Sequence, residues 1–338
     1  MKHSDNFSFY LTKYMTEYLP GQRNLSVNTI HSYRDTFVQL IAFCRDEKNI
    51  QPEKLRISLL TRKVIEEYLS YLEDTRRCGI STRNQRLAAI KAFMRFIQVE
   101  EPEHLLLCQN VLSISNKGTI KPVVKYLNGD EIRYLLESPG MASPKSRRDT
   151  AILSLLYDSA ARVQELCDIK VEDLRLEKPS VLKLHGKGRK EREIPLSAKC
   201  VSILEKYIYE HKLNRPALLC NYLFFNNRNE KLTRNGVSYI LKKYMNKLYE
   251  DGYLKNKKNI TPHCLRHSKA MHLVNSGVNL IYIRDFLGHE SVETTQIYAK
   301  ANPESVRNAI AIVSDKIPIS DSKDWRSDPD IMNMLRNI

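Results

Sequence analysis

The chain has 338 residues, 42% of them hydrophobic, and carries 54 Lys and Arg against 39 Asp and Glu, a formal net charge of +15. That length suggests two domains, each with enough apolar residues for a core, and the charge points to a polyanionic partner, either nucleic acid or an anionic membrane surface. No apolar run reaches the roughly 18 residues a membrane span needs, and Met1-Lys2-His3-Ser4-Asp5 leads into no signal-peptide core, so the expectation is a cytoplasmic protein with no membrane attachment.

In chain order, residues 7–19 read as a short helix ended by Pro20-Gly21. Ser26 is placed to cap a second helix with Ile30, Tyr33, Phe37, Leu40, Ile41 and Cys44 at helical spacing. A third starts near Thr61 and carries Val64, Ile65, Tyr68, Leu69 and Leu72. Ser81 is placed to cap a fourth, with Leu87, Ile90, Phe93, Met94 and Ile97 inward and Arg83, Arg86, Lys91 and Arg95 on the other face. Residues 1–105 thus form a small helical bundle. Its basic face is either a solvated surface or a set of phosphate contacts, which would supply affinity but little sequence information. Residues 106–126 contain Asn116-Lys117-Gly118 and Lys121-Pro122 without clear periodicity. They read as a linker, either an ordinary loop or the basic joint of a clamp around a duplex.

The second half, residues 127–310, is mostly helical. Asn128 caps a helix through Leu136, and another runs from about Arg148 to Ser159. Further helices lie near 198–212, 234–249, 262–275 and 279–287, and a short one ends around Tyr298. Two strands, 181–185 and 191–196, flank the turn Gly186-Lys187-Gly188, and Tyr222-Leu223-Phe224-Phe225 is a candidate further strand. The tail 311–338 holds one possible short helix around Pro329–Leu335, packing on its own domain or on a neighbour. Seven scattered cysteines without a CxxC pair read as free thiols, mostly core filler.

The chemistry gathers in this second half. Thr261 and Pro262 start a helix that puts His263 and Arg266 on one face. Arg162, Lys187, His289 and Tyr298 complete a set suited to phosphate: guanidiniums offer paired donors to its oxygens, and a phenol is a latent nucleophile. Taken singly, each residue has an ordinary explanation, such as Arg162 paired with Glu165 or His267 as a hydrogen-bonding helix residue. Joint occurrence favours function. His263 and His267 are spaced like a helical zinc pair, but Cys264 stands where the metalloprotease pattern has Glu, so no metal is expected.

Ala161-Arg162-Val163-Gln164-Glu165-Leu166, the Gly186-Lys187-Gly188-Arg189-Lys190-Glu191-Arg192 turn, His263-Cys264-Leu265-Arg266-His267, Leu287-Gly288-His289 and Tyr298 resemble, in order and spacing, the motifs of the tyrosine recombinases, the phage-integrase and Xer-like family. The resemblance spans the chain. It implies a mainly α fold, an N-terminal helical core-binding (SAM-like) bundle plus a mixed, mostly helical catalytic domain with a small antiparallel β-sheet. It implies Tyr298 as nucleophile, Arg162 and Arg266 on the scissile phosphate, Lys187 as general acid, and His263 for proton transfer or orientation. His289 would be a second phosphate donor, and Glu165 a support behind the site. Arg189 and Lys190 join Arg83, Arg86, Lys91 and Arg95 as DNA-contact candidates.

Ala160-Ala161 departs from the family pattern, where a Gly followed by a larger apolar residue is commoner. The implied activity is site-specific strand exchange through a 3′-phosphotyrosyl intermediate, in service of a mobile element, on double-stranded DNA sites. It implies a homotetramer on DNA, no cofactor, and a tail open to exchange between protomers. The alternatives are a catalytically silent DNA-binding accessory protein, an Xer-type chromosome or plasmid dimer resolvase, and a monomeric type IB topoisomerase.

Overall fold

The computed structural model describes residues 5–119, 124–186, 190–254 and 259–300, with Asn333, Met334 and Arg336. The chain divides into two compact units, Met1–Lys121 and Pro122–Ile338. Lys187, Gly188 and Arg189, and the tail helix expected around Pro329–Leu335 apart from Asn333 and Met334, lie outside the described residues.

The first unit is helical: α1 (Phe7–Lys13), α2 (Val27–Lys48), α3 (Arg62–Asp74), α4 (Ile80–Glu100) and α5 (Leu105–Leu112). The side chains of Ser26 and Thr61 cap α2 and α3 by accepting from Thr29 N and Val64 N. The core is aromatic, with ring centroids 5.1 Å apart for Phe37–Phe93 and 5.2 Å for Tyr14–Phe93, pairs that add to what area burial alone provides.

Four local expectations are corrected here. Pro20 does not end the first helical stretch; a π-helical segment, Tyr14–Gln22, carries the chain past it, because Tyr14 and Leu19 are both buried in the core. Gly79, not Ser81, is the N-cap of α4. Residues 105–112, expected mostly in a linker, form α5, whose Cys108 and Val111 join the core along with Ile114 beyond it; a single two-turn helix is too short to show its period. Finally, the basic face of α4 is thinner than expected. Arg83 is buried, donating to Ser115 O and Asn84 Oδ1. Arg86 is half-buried and donates to Ser32 O and Thr36 Oγ1 at 3.0 and 3.1 Å. Their long stems fill the bundle while their heads satisfy backbone and hydroxyl groups. Lys91 is half-exposed and Arg95 exposed.

The second unit contains α6 (Gly129–Glu137), α7 (Pro144–Asp158), α8 (Val163–Asp168), β1 (Leu174–Arg175), β2 (Val181–His185), β3 (Glu191–Pro195), α9 (Ala198–Glu210), α10 (Arg234–Glu250), α11 (Pro262–Asn275), α12 (Leu280–Leu287) and α13 (Glu293–Lys300). The sheet is antiparallel in the order β1-β2-β3, with His185 opposite Glu191 at the turn end. Tyr222–Phe225 forms only isolated bridges, Tyr222 to Lys170 and Phe225 to Lys231. Leu223 and Phe224 are both buried, filling the core without joining the sheet. Helix α7 is buried along Ala151–Leu156 and is the unit's central element. A smaller apolar cluster of Ala160, Ala270, Met271, Ile283, Leu287 and Tyr298 joins the end of α7 to α11, α12 and α13.

Five of the seven cysteines are buried and all are free thiols. No helix among the described residues is long and apolar enough to cross a membrane.

Candidate active site

The segment between α7 and α8 presents the first arginine. Ala160 holds φ +47°, in the left-handed region that costs an L residue roughly 1–2 kcal/mol. This is where the family pattern favours Gly. The burial of Ala160 and the bond its carbonyl receives from Arg266 Nη1, at 2.8 Å, offset that cost. Arg162 then becomes the N-cap of α8, and Glu165 in its first turn accepts from Arg162 N at 2.9 Å.

Glu165 is buried and grips two guanidiniums. Arg162 Nη1 donates to its Oε1 at 2.7 Å, while Arg192 Nη1 and Nη2 donate to Oε1 and Oε2 at 3.1 and 2.7 Å. Burial alone would raise the Glu165 carboxyl, but the Arg192 hydrogen bonds and charge, with help from Arg162, hold it below the usual range. Arg192 also donates from Nε to Phe286 O, and Arg162 Nη2 to Gly288 O at 3.1 Å. Gly288 closes α12 at φ +63°, where a Cβ would meet the Arg192 side chain at 3.1 Å. Both the backbone angle and the close approach therefore call for glycine.

Arg192 belongs to a motif quoted from the sequence that by itself gives it no role. The available signal was strand alternation, since it shares a face of β3 with the inward position Ile194. At the foot of the same hairpin, a Cβ on Gly186 would stand 3.6 Å from Glu165 Oε1. The base of the turn that carries Lys187 is thus beside this cluster.

Helix α11 supplies the second arginine. Arg266 is only 1% exposed and donates to the carbonyls of Ala160 and Leu287. Its buried Nε has no hydrogen-bond partner among the described residues, so one donor in the site is uncommitted. Burial, and then the nearby Arg162 and Arg192, lower its pKa to about 10, which leaves it charged at neutral pH. His263 is exposed on the same helix, and its ring centroid lies 4.2 Å from that of His267. Partial desolvation by its neighbours in the cluster, then Arg266 and Arg162, lowers the His263 pKa. His289 accepts or donates at Nδ1 with the buried Thr295 Oγ1, 3.0 Å away. Burial together with the charges of Arg266 and Arg162 pushes it down to about 4.

Tyr298 closes the set from α13. It is 1% exposed, and its hydroxyl lies 2.7 Å from His267 Nδ1. Burial raises its pKa to about 12 against the opposing charge of Arg266. His267, expected to be structural, is therefore the residue that contacts the phenol. Of the remaining candidates, Lys190 is exposed and sits 3.6 Å from Glu290.

The half-buried histidines set a pH response. His267 and His289 fall from about 6.5 to about 4 on folding, and the Glu165 carboxyl is also depressed. Between those values the unfolded chain binds protons that the folded chain does not, so stability is full above about pH 6.5 and declines toward pH 4. Thermal midpoints measured from pH 8 to 4 are expected to hold down to about 6.5 and then fall, and His289→Phe to flatten part of that fall.

Comparison with known proteins identifies the family. The Phage integrase family pattern matches residues 125–305, and the phage integrase N-terminal SAM-like domain matches residues 11–101. A putative integrase/recombinase of Sinorhizobium fredii, y4rC, is 34% identical over 98% of this chain and 96% of its own length. Tyrosine recombinase XerD of Listeria monocytogenes is 32% identical over 83% of this chain and 90% of its own. Among solved structures, XerH site-specific recombinase bound to a palindromic difH substrate covers 86% of this chain and 82% of its own, at 23% identity and TM-score 0.68. The Tn1549 transposon integrase in complex with circular intermediate DNA covers 90% and 98%, at 18% identity and TM-score 0.68. These two share the fold. On the sequence matches, the chain belongs to the phage integrase family of tyrosine recombinases, which cut and rejoin DNA at specific sites.

Proposed function

We propose that this chain exchanges DNA strands at a specific pair of sites through a covalent 3′-phosphotyrosyl link to Tyr298, in service of a mobile element. The observation that carries this reading is the phenol of Tyr298 lying within the electrostatic reach of Arg266, in one cluster with Arg162, His263 and His289. Those residues come from segments spread between positions 160 and 298.

A phosphodiester is anionic, and attack adds charge to its non-bridging oxygens. Arg162 and Arg266 hold those oxygens with preorganised donors, usually the largest catalytic contribution. The unpaired Arg266 Nε supports that role. His289 adds a donor. Tyr298 Oη forms the new O–P bond as the bond to the 5′ oxygen breaks. The phenol proton, held on the Tyr298 oxygen by the hydrogen bond to His267 in the DNA-free protein, passes to His263 once phosphate enters the site, and the leaving 5′ oxygen takes a proton from Lys187. The base of the hairpin beside Glu165 supports the assignment of Lys187. The phosphotyrosyl ester keeps the bond energy, so the reverse attack by a 5′-hydroxyl reseals the strand without ATP. Lys91, Arg95, Arg189 and Lys190 are the phosphate contacts we retain for the duplex; Arg83 and Arg86 are engaged within the bundle.

The relatives named tyrosine recombinase XerC and XerD, 30% and 32% identical over 93% and 83% of this chain, favour a second reading, an Xer-type dimer resolvase. Conversion of plasmid dimers to monomers at a site outside any mobile element would select it.

A nicked suicide duplex tests the main reading. Wild-type protein is expected to give a denaturation-resistant protein–DNA adduct, and Tyr298→Phe none, while its binding to the same duplex persists. Binding without an adduct across many sites would instead identify a silent accessory protein.

A further inference from the structure

We infer that His267 is the positioning residue for the nucleophile: its neutral imidazole accepts the Tyr298 hydroxyl proton in a hydrogen bond at Nδ1 and fixes where the phenol oxygen stands before attack. This rests on the assignment of Tyr298 as nucleophile. Helix α11 places His267 one turn beyond His263 and next to Arg266, the spacing that puts i and i+4 side chains together. The rings then form a file from surface to interior. His263 is exposed, His267 is half-buried with its ring centroid 4.2 Å away, and Tyr298 is buried with its centroid 5.5 Å from that of His267. The 2.7 Å contact between Nδ1 and the hydroxyl is the only hydrogen bond recorded for the phenol among the described residues. Around the ring, Ala160, Ala270, Met271, Ile283 and Leu287 are apolar. They restrict the ring but cannot choose a direction for its oxygen.

The direction of that hydrogen bond follows from the two environments. Burial, then His263 and Arg266, push the His267 imidazole down to about 4, and burial takes the phenol up to about 12. At neutral pH the ring is uncharged and the phenol protonated, so the hydroxyl donates, Nδ1 accepts, and the imidazole proton sits on Nε2. With the two affinities so far apart the shared proton stays on oxygen. The contact therefore orients the nucleophile rather than ionising it, and the proton leaves only when phosphate arrives. Orientation of this kind matters for rate, because a misplacement of about 1 Å costs on the order of 10²-fold.

Two measurements on the full chain test the proposal. Histidine ¹⁵N spectra of the DNA-free protein are expected to show His267 with Nε2 protonated, and the Nδ1 resonance should move in Tyr298→Phe. In single-turnover cleavage of a suicide duplex, His267→Leu is expected to slow adduct formation by roughly 10- to 100-fold with DNA affinity unchanged. His267→Asn, whose amide oxygen can take the place of Nδ1, should recover most of the lost rate. A protonated Nδ1, or no response to Tyr298→Phe, overturns the proposal whatever the protein does to DNA. So does wild-type or faster cleavage by His267→Leu, or an Asn variant as slow as the Leu variant. A wild type that yields no adduct overturns the nucleophile assignment instead, and the spectra still decide whether His267 holds the phenol.

Discussion

Replacing Arg162 by alanine is expected to slow formation of the covalent adduct by about 10²–10³-fold, the cost of removing one preorganised donor from a developing oxyanion. Stability should change far less. The Arg162 side chain is 42% exposed, and Glu165 keeps both hydrogen bonds from Arg192 when Arg162 is gone. Arg162→Lys should recover little, because an ammonium cannot reproduce the fork that meets both Glu165 and Gly288 O. Single-turnover cleavage and denaturant unfolding on the same variants check this. A loss of rate matched by a loss of fold would show that Arg162 acts as a brace rather than as a phosphate contact.

Arg266 is expected to fail in both respects. Its guanidinium ties the end of α7 to the end of α12 through the carbonyls of Ala160 and Leu287. Arg266→Leu would fill only part of the space and leave those two buried carbonyls unpaired, at about 1–3 kcal/mol each. It would also remove a donor from the phosphate, with a rate loss like that of Arg162. The left-handed Ala160 should suffer too, since the bond to its carbonyl is part of what holds that conformation. The expected result is a lower unfolding midpoint together with adduct formation slowed by about 10²–10³-fold. An Arg266→Leu protein as stable as the wild type would mean that the carbonyls find other partners, and the tie between helices would have to be abandoned.

What was readable in the sequence follows from where each interaction is made. Caps and motifs are local. Ser26, Thr61 and Asn128 cap their helices within three residues, and the strings around Arg162, His263, Gly288 and Tyr298 carry their identity in a few positions each. Those elements could be found without coordinates. The pairing of Glu165 with Arg192 spans 27 positions, and that of His267 with Tyr298 spans 31. No local pattern encodes either, so the sequence alone gives Arg192 no role and reads His267 as structural.

The inward Arg83 and Arg86 escape a sequence reading for a different reason. A helical wheel assigns arginine to the wet face, whereas here Ser115, Ser32 and Thr36 offer acceptors inside the bundle. The same tertiary override accounts for the helical stretch running past Pro20, where burial of Tyr14 and Leu19 outweighs the local signal of Pro-Gly. In Tyr222–Phe225, apolar β-prone residues suggested a strand, and burial of adjacent side chains shows core filling.

The most direct measurement is the identity of the amino acid that carries DNA. Adduct trapped on a suicide duplex is digested with nuclease and protease, and the nucleotide-bearing peptide is sequenced by mass spectrometry. The account expects a phosphodiester on the Tyr298 hydroxyl, in the peptide that follows Gly288-His289. A nucleotide on any other residue, or an adduct of equal yield from Tyr298→Phe, would contradict it.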